Sequence, residues 1–256
     1  MTPSVSPWES VFVSDRGAVR QVNEDSYLDA PDLGLWVIAD GMGGHEAGQL
    51  ASATVVHTLE GISSADSVEA MEASVRRSIS QANRQLHEVS RNLYASKPVG
   101  STVAILILRP GRACCLWAGD SRIYRLRNGR LERLTRDHSR TEELIEQGII
   151  TRAEAEEHPL ANVITRAIGA AAHVVLDRQI EPVVPADTFL LCSDGLYRTV
   201  SEDEMEEKLG QSDCRQAAEE LLALSLSRKP ADNVTLGVVH TGGDDTIIAR
   251  TPHEAR

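Results

Sequence analysis

The feature that most constrains the fold is an apolar run that ends abruptly in an aspartate and a group of glycines. Residues 36–45 read Trp-Val-Ile-Ala-Asp-Gly-Met-Gly-Gly-His. The run predicts a buried strand that breaks into a tight loop at Asp40, whose carboxylate would face a cleft. The glycines would let the backbone approach a ligand such as a hard cation, which a carboxylate and a neighbouring carbonyl could bind. Taken alone, Asp-Gly is more often an ordinary turn.

Further acidic residues flank predicted strands in a similar way. Asp120 and Asp194 follow buried runs, Asp232 precedes the last strand, and Glu24 and Asp25 precede a short strand-like segment. Each alone would fit a solvated turn or a helix cap. Because strand ends of one sandwich converge, however, we expect these carboxylates to cluster, and clustering is costly unless cations neutralise them. Oxygen ligands without nearby His or Cys favour Mg²⁺ or Mn²⁺.

This predicted cluster indicates phosphate chemistry. Two such ions about 4 Å apart could lower the pKa of a bridging water and hold a phosphoryl group for in-line attack. Arg20, which lies three residues before Asn23, could supply a bidentate fork for the phosphate oxygens. A net charge of −12 argues against nucleic acid and against anionic lipid as partners.

The remaining pattern predicts a single domain of mixed α and β structure over residues 10–240. Residues 1–9 are expected to be a loose lead-in, residues 241–256 a flexible tail, and the polar, partly helical segment 135–172 a flap over a sheet edge. Apolar spacing predicts helices, and a capping box at Ser201 opens another. Asn128-Gly129 is typical of a two-residue hairpin. The predicted helices cover 46–60, 68–93 and 214–227, and the predicted strands cover 8–13, 34–39, 102–108, 114–118, 123–126, 131–134, 174–180, 188–192 and 234–239.

Cysteine usage and the terminus favour the cytoplasm. The adjacent pair Cys114-Cys115 would point to opposite faces of a strand, so the four cysteines are expected to be small buried side chains in a reducing compartment. The N-terminus lacks a basic region followed by an apolar stretch, and no window approaches about 18 uninterrupted apolar residues. We therefore expect a cytoplasmic protein without a membrane anchor, and a monomer by default.

Six motifs in order along the chain resemble the metal-dependent protein phosphatase family, also called protein phosphatase type 2C, in its compact bacterial form. The likeness covers residues 10–240. The motifs are Arg20-x-x-Asn23-Glu24-Asp25, Ala39-Asp40-Gly41-Met42-Gly43-Gly44-His45, Gly100-Ser101-Thr102, Ala118-Gly119-Asp120-Ser121-Arg122, Ser193-Asp194-Gly195-Leu196 and Asp232-Asn233-Val234-Thr235.

The resemblance implies an α+β fold, a four-layer α-β-β-α sandwich of two mainly antiparallel sheets flanked by helix pairs. It also implies Mn²⁺- or Mg²⁺-dependent hydrolysis of phosphoserine and phosphothreonine in proteins, with segment 135–172 shaping substrate access. The implied site roles are Asp40 as the bridge between two ions, the Gly41 carbonyl on one ion, Asp194 and Asp232 on the other, Glu24 and Asp25 through bound waters, Asp120 with Asp194 at a third ion, and Arg20 on the substrate phosphate.

One position departs from the animal members of the family. Those members carry a histidine directly after the metal-binding Asp-Gly, proposed as a general acid, whereas this chain has Met42 there. His45 lies three residues later, as in bacterial relatives. We interpret it as a structural residue of the loop, with direct acid catalysis as the less favoured alternative. His138 is interpreted as a hydrogen-bonded structural histidine.

The motifs favour an active phosphatase over three other functions. The main alternative is a catalytically silent phosphopeptide-binding module on the same fold, which lost metal carboxylates would indicate. An enzyme for small phosphate esters is a further alternative, and a metal-binding structural protein is the least favoured. The resemblance to bacterial members implies that the partners are phosphorylated proteins. These would be targets of a serine/threonine kinase or parts of a secretion-system switch.

Overall fold

Two antiparallel sheets make up the centre of the protein. A computed structural model describes residues 8–44, 46–93, 99–156 and 158–242. The first sheet has the order β1 (Trp8–Asp15), β11 (Val234–Thr241), β10 (Thr188–Cys192), β7 (Arg122–Arg127) and β8 (Arg130–Arg133). The second has the order β2 (Asp25–Ala30), β3 (Leu35–Met42), β5 (Val103–Arg109), β6 (Arg112–Ala118) and β9 (Asp177–Pro182), with β4 (Gly100–Ser101) paired to β3.

Two pairs of helices cover the outer faces of the sheets. The helices that the structure describes are α1 (Glu46–Glu60), α2 (Val68–Leu93), α3 (Arg140–Glu146), α4 (Arg152–Glu156), α5 (Asp194–Tyr197), α6 (Glu202–Gln211) and α7 (Cys214–Ser227), with a short 3₁₀ turn at Pro31–Leu33. Helices α1 and α2 share an apolar core with the second sheet, and α6 and α7 share one with the first. Within the described ranges, no helix combines the length and the apolar character that crossing a membrane requires.

A third apolar core lies between the two sheets. Trp36, Phe189 and Leu106 are fully buried there and come from both sheets. Alternation along each strand sends neighbouring residues to opposite cores, as Cys114 and Cys115 illustrate: Cys114 faces the helices, and Cys115 faces the other sheet. The result is the α-β-β-α sandwich that the sequence resemblance implied.

Most predicted elements are confirmed. The helices at 46–60, 68–93 and 214–227 coincide with α1, α2 and α7. The Ser201 side chain accepts from the Glu204 amide while the Glu204 carboxylate accepts from the Ser201 amide, which completes the predicted capping box. Asn128 and Gly129 have φ values of 53° and 73°, as the predicted hairpin turn requires.

Some boundaries differ from the prediction. Strand β3 continues through Asp40 to Met42, because Gly41 and Met42 pair with β4. Strand β9 begins at Asp177, so part of the predicted strand 174–180 is unpaired, and the Leu176 carbonyl instead accepts from Arg76 of α2. Trp8 pairs with Thr241, so strand structure reaches into both the predicted lead-in 1–9 and the predicted tail 241–256, whose other residues lie mostly outside the described ranges.

Candidate active site

One edge of the sandwich carries a cleft of about 530 Å³. It forms there because β3 and β10 end, and β2 and β11 begin, on the same side of the paired sheets. The loops that follow or precede these strands therefore meet. The charged residues that line the cleft are Arg20, Glu24, Asp40, Asp120, Asp194, Arg198, Lys229 and Asp232.

Asp25 and Asp40 lie directly opposite each other on β2 and β3. Like charges in this register destabilise a sheet. The Ser193 hydroxyl donates to Asp25 Oδ2 at 2.8 Å, so the partner sheet helps to hold the Asp25 carboxylate. Asp25 is not among the residues that line the cleft, but its negative charge raises the pKa of the neighbouring Asp40.

The backbone of Asp40 is fixed by hydrogen bonds from two hydroxyl residues. The Asp40 amide donates to Thr102 Oγ1 at 3.0 Å, and the Thr102 amide donates back to the Asp40 carbonyl at 2.8 Å. The Ser101 hydroxyl also donates to the Asp40 carbonyl, at 3.0 Å. The Gly100-Ser101-Thr102 motif therefore positions Asp40, a role that the sequence pattern did not predict.

Gly41 is needed because the backbone is crowded on both sides. A Cβ at Gly41 would lie 2.1 Å from the Gly48 carbonyl and 2.6 Å from the Glu24 carbonyl. Gly48 of α1 is equally restricted, since a Cβ there would lie 1.8 Å from Glu24 Oε2. These two glycines let α1, β3 and the Glu24 loop meet at the cleft, with the Glu24 carboxylate packed against α1.

Asp232 and Asn233 link the loop before β2 to the loop before β11. The Glu24 amide donates to Asn233 Oδ1 at 2.8 Å, and Asn233 Nδ2 donates to the carbonyls of Arg16 and Val22 at 2.9 and 3.0 Å. Arg20, which this loop presents, donates through Nη2 to Asp232 Oδ2 at 2.7 Å. The predicted phosphate ligand is thus placed at the cleft, paired with an acid.

Asp120 and Asp194 both line the cleft close to Arg198. Arg198 Nε lies 2.8 Å from Asp194 Oδ2, and its Nη2 lies 3.9 Å from Asp120 Oδ2. The Tyr197 hydroxyl donates to Asp120 Oδ2 at 3.2 Å, and the Arg122 guanidinium lies 3.5 Å above the centre of the Tyr197 ring. This network holds Asp120 in a buried position.

Burial and mutual repulsion raise the pKa of four aspartates in and beside the cleft, Asp25, Asp40, Asp120 and Asp194. Burial, followed by the charges of Asp25 and Asp194, raises the pKa of Asp40 well above its usual range. Burial is also the main cause that raises the pKa of Asp25 and that of Asp120, each to about 7. The pKa of Asp194 is raised by burial too, although Arg198 opposes this. Without a positive charge nearby, these aspartates therefore keep their protons to a higher pH than an ordinary aspartate does.

This chemistry fits hard divalent cations. Oδ1 of Asp120 and Oδ1 of Asp194 are buried without a hydrogen-bond partner, and carboxylate oxygens of this kind are ligands for Mg²⁺ or Mn²⁺. In the part of the chain that the structure describes, no three His, Cys, Asp or Glu side chains are grouped tightly enough to hold an ion by themselves. The two observations are compatible, because such ions keep several waters and accept backbone carbonyls.

Segment 135–172 covers one side of the cleft. It contains α3 and α4, and its residues Asn162 and Ile164 line the cavity. His138, at its beginning, accepts at Nδ1 from the Gly119 amide at 3.1 Å, and its Nε2 lies 3.1 Å from Asp177, which fits the predicted structural role. His45 lies outside the described residues.

The sequence patterns did not predict several residues that line the cleft or support its acids. Gly48, Tyr197 and Arg198 were not identified as site residues, although the last two follow the Ser193-Asp194-Gly195-Leu196 motif directly. Asn233 was quoted within a motif without a role. A buried asparagine that bonds three backbone groups leaves no pattern of its own in a sequence, and an arginine beside an acid is too common to stand out.

A sandwich whose cleft gathers carboxylates with two arginines is suited to metal-dependent hydrolysis of phosphate esters. The family model "Protein phosphatase 2C" matches residues 16–228. The serine/threonine phosphatase stp of Listeria welshimeri is 33% identical over 236 residues, covering 89% of this chain and 94% of that protein.

Solved structures give the same answer. The structure of PppA, described as a key regulatory component of T6SS in Pseudomonas aeruginosa, is 43% identical, has a TM-score of 0.85 and covers 91% of this chain and 96% of that one. The catalytic domain of the serine/threonine protein phosphatase PstP, solved with two manganese ions, is 30% identical with a TM-score of 0.81 and covers 92% and 98%.

The chain belongs to the protein phosphatase 2C family. It is a bacterial-type serine/threonine protein phosphatase, in a family whose activity depends on metal ions.

Proposed function

We propose that this chain removes phosphate from phosphoserine and phosphothreonine in proteins with the help of two Mn²⁺ or Mg²⁺ ions in the described cleft. The observation that carries the proposal is the position of Asp40. Asp40 lines the cleft, and the charges of four other acids raise its pKa: Asp25, Asp194, Asp120 and Asp232. It is therefore the central acid of the cluster. A group so placed suits a ligand shared by two cations.

The proposed ligands come from three parts of the cleft. Asp40 would bridge both ions, the Gly41 carbonyl would complete one, and Asp194 and Asp232 would complete the other. Asp120 with Asp194 would form a weaker third position, and Glu24 and Asp25 would act through waters. When bound, such ions lower the pKa of coordinated water and offset the negative charge of a phosphoryl group.

The chain's own residues bind and orient the substrate. Arg20 has a half-exposed side chain and pairs with Asp232 through Nη2, so its other N–H groups could donate to phosphate oxygens in a fork geometry. Thr102 and Ser101 fix the Asp40 backbone and limit movement of its carboxylate during turnover. Segment 135–172 would contact the protein on either side of the phosphorylated residue.

The biological setting is proposed from likeness. We place the protein in the cytoplasm as a monomer, with residues 10–240 as one catalytic domain that opposes a serine/threonine kinase. All four cysteines are buried free thiols, which supports a reducing compartment. The likeness to PppA, described as a key regulatory component of T6SS, supports a regulatory role of that kind.

The test is hydrolysis of a phosphothreonine peptide and of p-nitrophenyl phosphate with Mn²⁺, Mg²⁺ or EDTA. Asp194→Asn should lower kcat by at least about 100-fold, because it removes a charge from a ligand of the proposed centre. Asp203→Asn, on the exposed first turn of α6, loses the same charge and should keep full activity.

Two results would contradict the proposal. Turnover of p-nitrophenyl phosphate without turnover of the peptide would indicate small phosphate esters as substrates. Retained phosphopeptide binding with no turnover under any metal would indicate a silent binding module.

A further inference from the structure

The guanidinium of Arg198 lies where a cation could bind between Asp120 and Asp194. It donates through Nε to Asp194 Oδ2 at 2.8 Å, and its Nη2 lies 3.9 Å from Asp120 Oδ2. The Asp120 side chain is 5% exposed and that of Asp194 is 16% exposed, while that of Arg198 is 32% exposed. Arg198 is therefore a partly exposed cation that lies against two largely buried acids, with Arg122 acting on Asp120 and Arg20 on Asp194 from farther away.

Tyr197 fixes the geometry of this contact. Its hydroxyl donates to Asp120 Oδ2, the oxygen that Arg198 approaches, and the guanidiniums of Arg122 and Arg198 lie 3.5 and 5.8 Å from the centre of its ring. Arg122 is held in turn by Asp137 at 2.6 Å. Asp120 thus cannot easily turn away from Arg198, and the two groups stay close.

The carboxylate oxygens without a hydrogen-bond partner are free to bind a divalent cation, which would compete with Arg198 for the two acids. Oδ1 of Asp120 and Oδ1 of Asp194 are buried without a partner, whereas Oδ2 of each acid has one. A divalent cation that used both carboxylates would gain these free oxygens. It would also bring its double charge close to the guanidinium, which repels it.

We propose that Arg198 is a built-in counterion of the Asp120–Asp194 pair that competes with a third divalent cation. The proposal rests on the proposed function, which places the first two ions at Asp40, Asp194 and Asp232. A third ion then binds weakly to the wild-type chain, and it binds only when the guanidinium moves out of the pair.

The same guanidinium connects this pair to segment 135–172. Arg198 Nη2 donates to the carbonyl of Ala161 at 3.4 Å. A cation that displaces Arg198 from the acids would also displace it from this contact. Because coupling between two sites is reciprocal, a substrate that holds the segment against Arg198 would in turn weaken binding of the third ion.

The test counts bound Mn²⁺ by the electron paramagnetic resonance signal of the free ion during a titration. Arg198→Met keeps most of the apolar stem and removes the charge. It should tighten the weakest site by roughly tenfold to a hundredfold, the range that loss of a hydrogen bond to a charged group gives in an equilibrium constant. Asp120→Asn in the same background should abolish this gain.

Arg140→Met is the matched control. Arg140 begins α3 in segment 135–172, and it pairs at 2.6 Å with Glu143 rather than with an acid of the cleft. This variant loses the same charge and should bind Mn²⁺ like the wild type. Hydrogen exchange supplies a second measurement: saturating Mn²⁺ should speed exchange of the amides near Ala161 in the wild type, but not in Arg198→Met.

Two outcomes overturn the inference while the proposed function stands. In one, wild type and Arg198→Met show the same weakest site. In the other, Arg140→Met tightens that site as much as Arg198→Met does. A wild type that shows no metal-dependent turnover is a different result, because it would overturn the proposed function and this inference with it.

Discussion

At the scale of single residues, the acids of the cleft occupy positions that lower the stability of the fold. Asp25 faces Asp40 across neighbouring strands, and Glu24 is packed against the backbone of α1 at Gly48. Both arrangements lower stability, because like charges opposite each other destabilise a sheet and a glycine destabilises a helix interior. Both bring acidic groups to one cleft, where cations can use them.

Gly48→Ala tests the packing of Glu24. Alanine favours the helix by up to about 1 kcal/mol, but its Cβ would lie 1.8 Å from Glu24 Oε2 and would displace that carboxylate. We therefore expect metal-dependent turnover to fall at least about tenfold, a loss near 1.4 kcal/mol in transition-state stabilisation. Peptide hydrolysis and urea unfolding would measure both effects.

Gly210→Ala is the control for this substitution. Gly210 is also helical, in α6, and among the described residues no atom beyond its chain neighbours and its own helix backbone lies within 4 Å of an added Cβ. It should gain stability without loss of activity. Equal activity of the two variants would show that the position of Glu24 does not matter for turnover.

At the scale of elements, two buried asparagines join loops to the sandwich. Asn83 of α2 accepts from the Gly169 amide at 2.7 Å and donates to the carbonyls of Ala171 and Ala172 at 3.0 and 3.2 Å. Asn233 makes the same set of one accepted and two donated bonds with the loop around Glu24. The first fixes the end of segment 135–172, and the second fixes the loop that carries Arg20.

Alanine at these two positions should separate stability from activity. Each change removes the partner of one buried amide and of two half-buried carbonyls, so each should lower the free energy of unfolding by about 1–3 kcal/mol, mostly through the buried amide. Asn233→Ala should also raise KM for a phosphopeptide several-fold, because Arg20 loses its support, whereas Asn83→Ala should change KM less. Urea unfolding and steady-state kinetics would decide. An equal rise of KM in both variants would contradict separate roles.

The elements were largely predictable from sequence because apolar periodicity and turn residues are local signals. Helices α1 and α2 have regular apolar stripes, and Asn128-Gly129 allows little besides a hairpin turn. The end of β3 was not predictable, since Asp40-Gly41 has the composition of a turn and becomes a strand only through pairing with β4. That pairing depends on residues about 60 positions away.

The site was predictable in its acids but not in what surrounds them. The acids each stand beside a glycine or a strand end and occur within ordered motifs, so family resemblance and strand geometry both point to them. Arg198 pairs with Asp194 and approaches Asp120 only because α5 follows β10 closely, and Asn233 acts through backbone groups of a distant loop. Such contacts exist only in the folded chain.

At the scale of the whole molecule, the acidic cluster links stability to pH and to metal. The pKa values of Asp25 and Asp120 rise to about 7, so between about pH 4 and pH 7 these two groups hold more protons in the folded protein than in the unfolded chain. Their contribution to the unfolding free energy without metal should therefore fall as pH rises through this window, whereas that of His138, whose pKa burial lowers, rises. Mn²⁺ should restore more stability at pH 7 than at pH 5, because it competes with those protons.

Urea unfolding in EDTA and in Mn²⁺ across this pH range would measure the effect, with Asp40→Asn as the reference. That variant removes the central charge, so it should be more stable than the wild type at pH 7 without metal, yet inactive. Remote carboxylates such as Glu204, whose pKa its hydrogen bond with Arg228 lowers to about 2, act equally in both proteins and cancel in the comparison. A wild type with the same pH profile as Asp40→Asn would contradict the role of the cluster.

The cysteines of this phosphatase have a consequence for oxidative stress. All four are buried, and burial raises the pKa of Cys114 to about 11 and those of Cys192 and Cys214 to about 12, and raises that of Cys115 as well. Peroxide attacks thiolates, and this fold offers none at neutral pH. A cell under oxidants that inactivate thiolate enzymes would thus keep this route of dephosphorylation open.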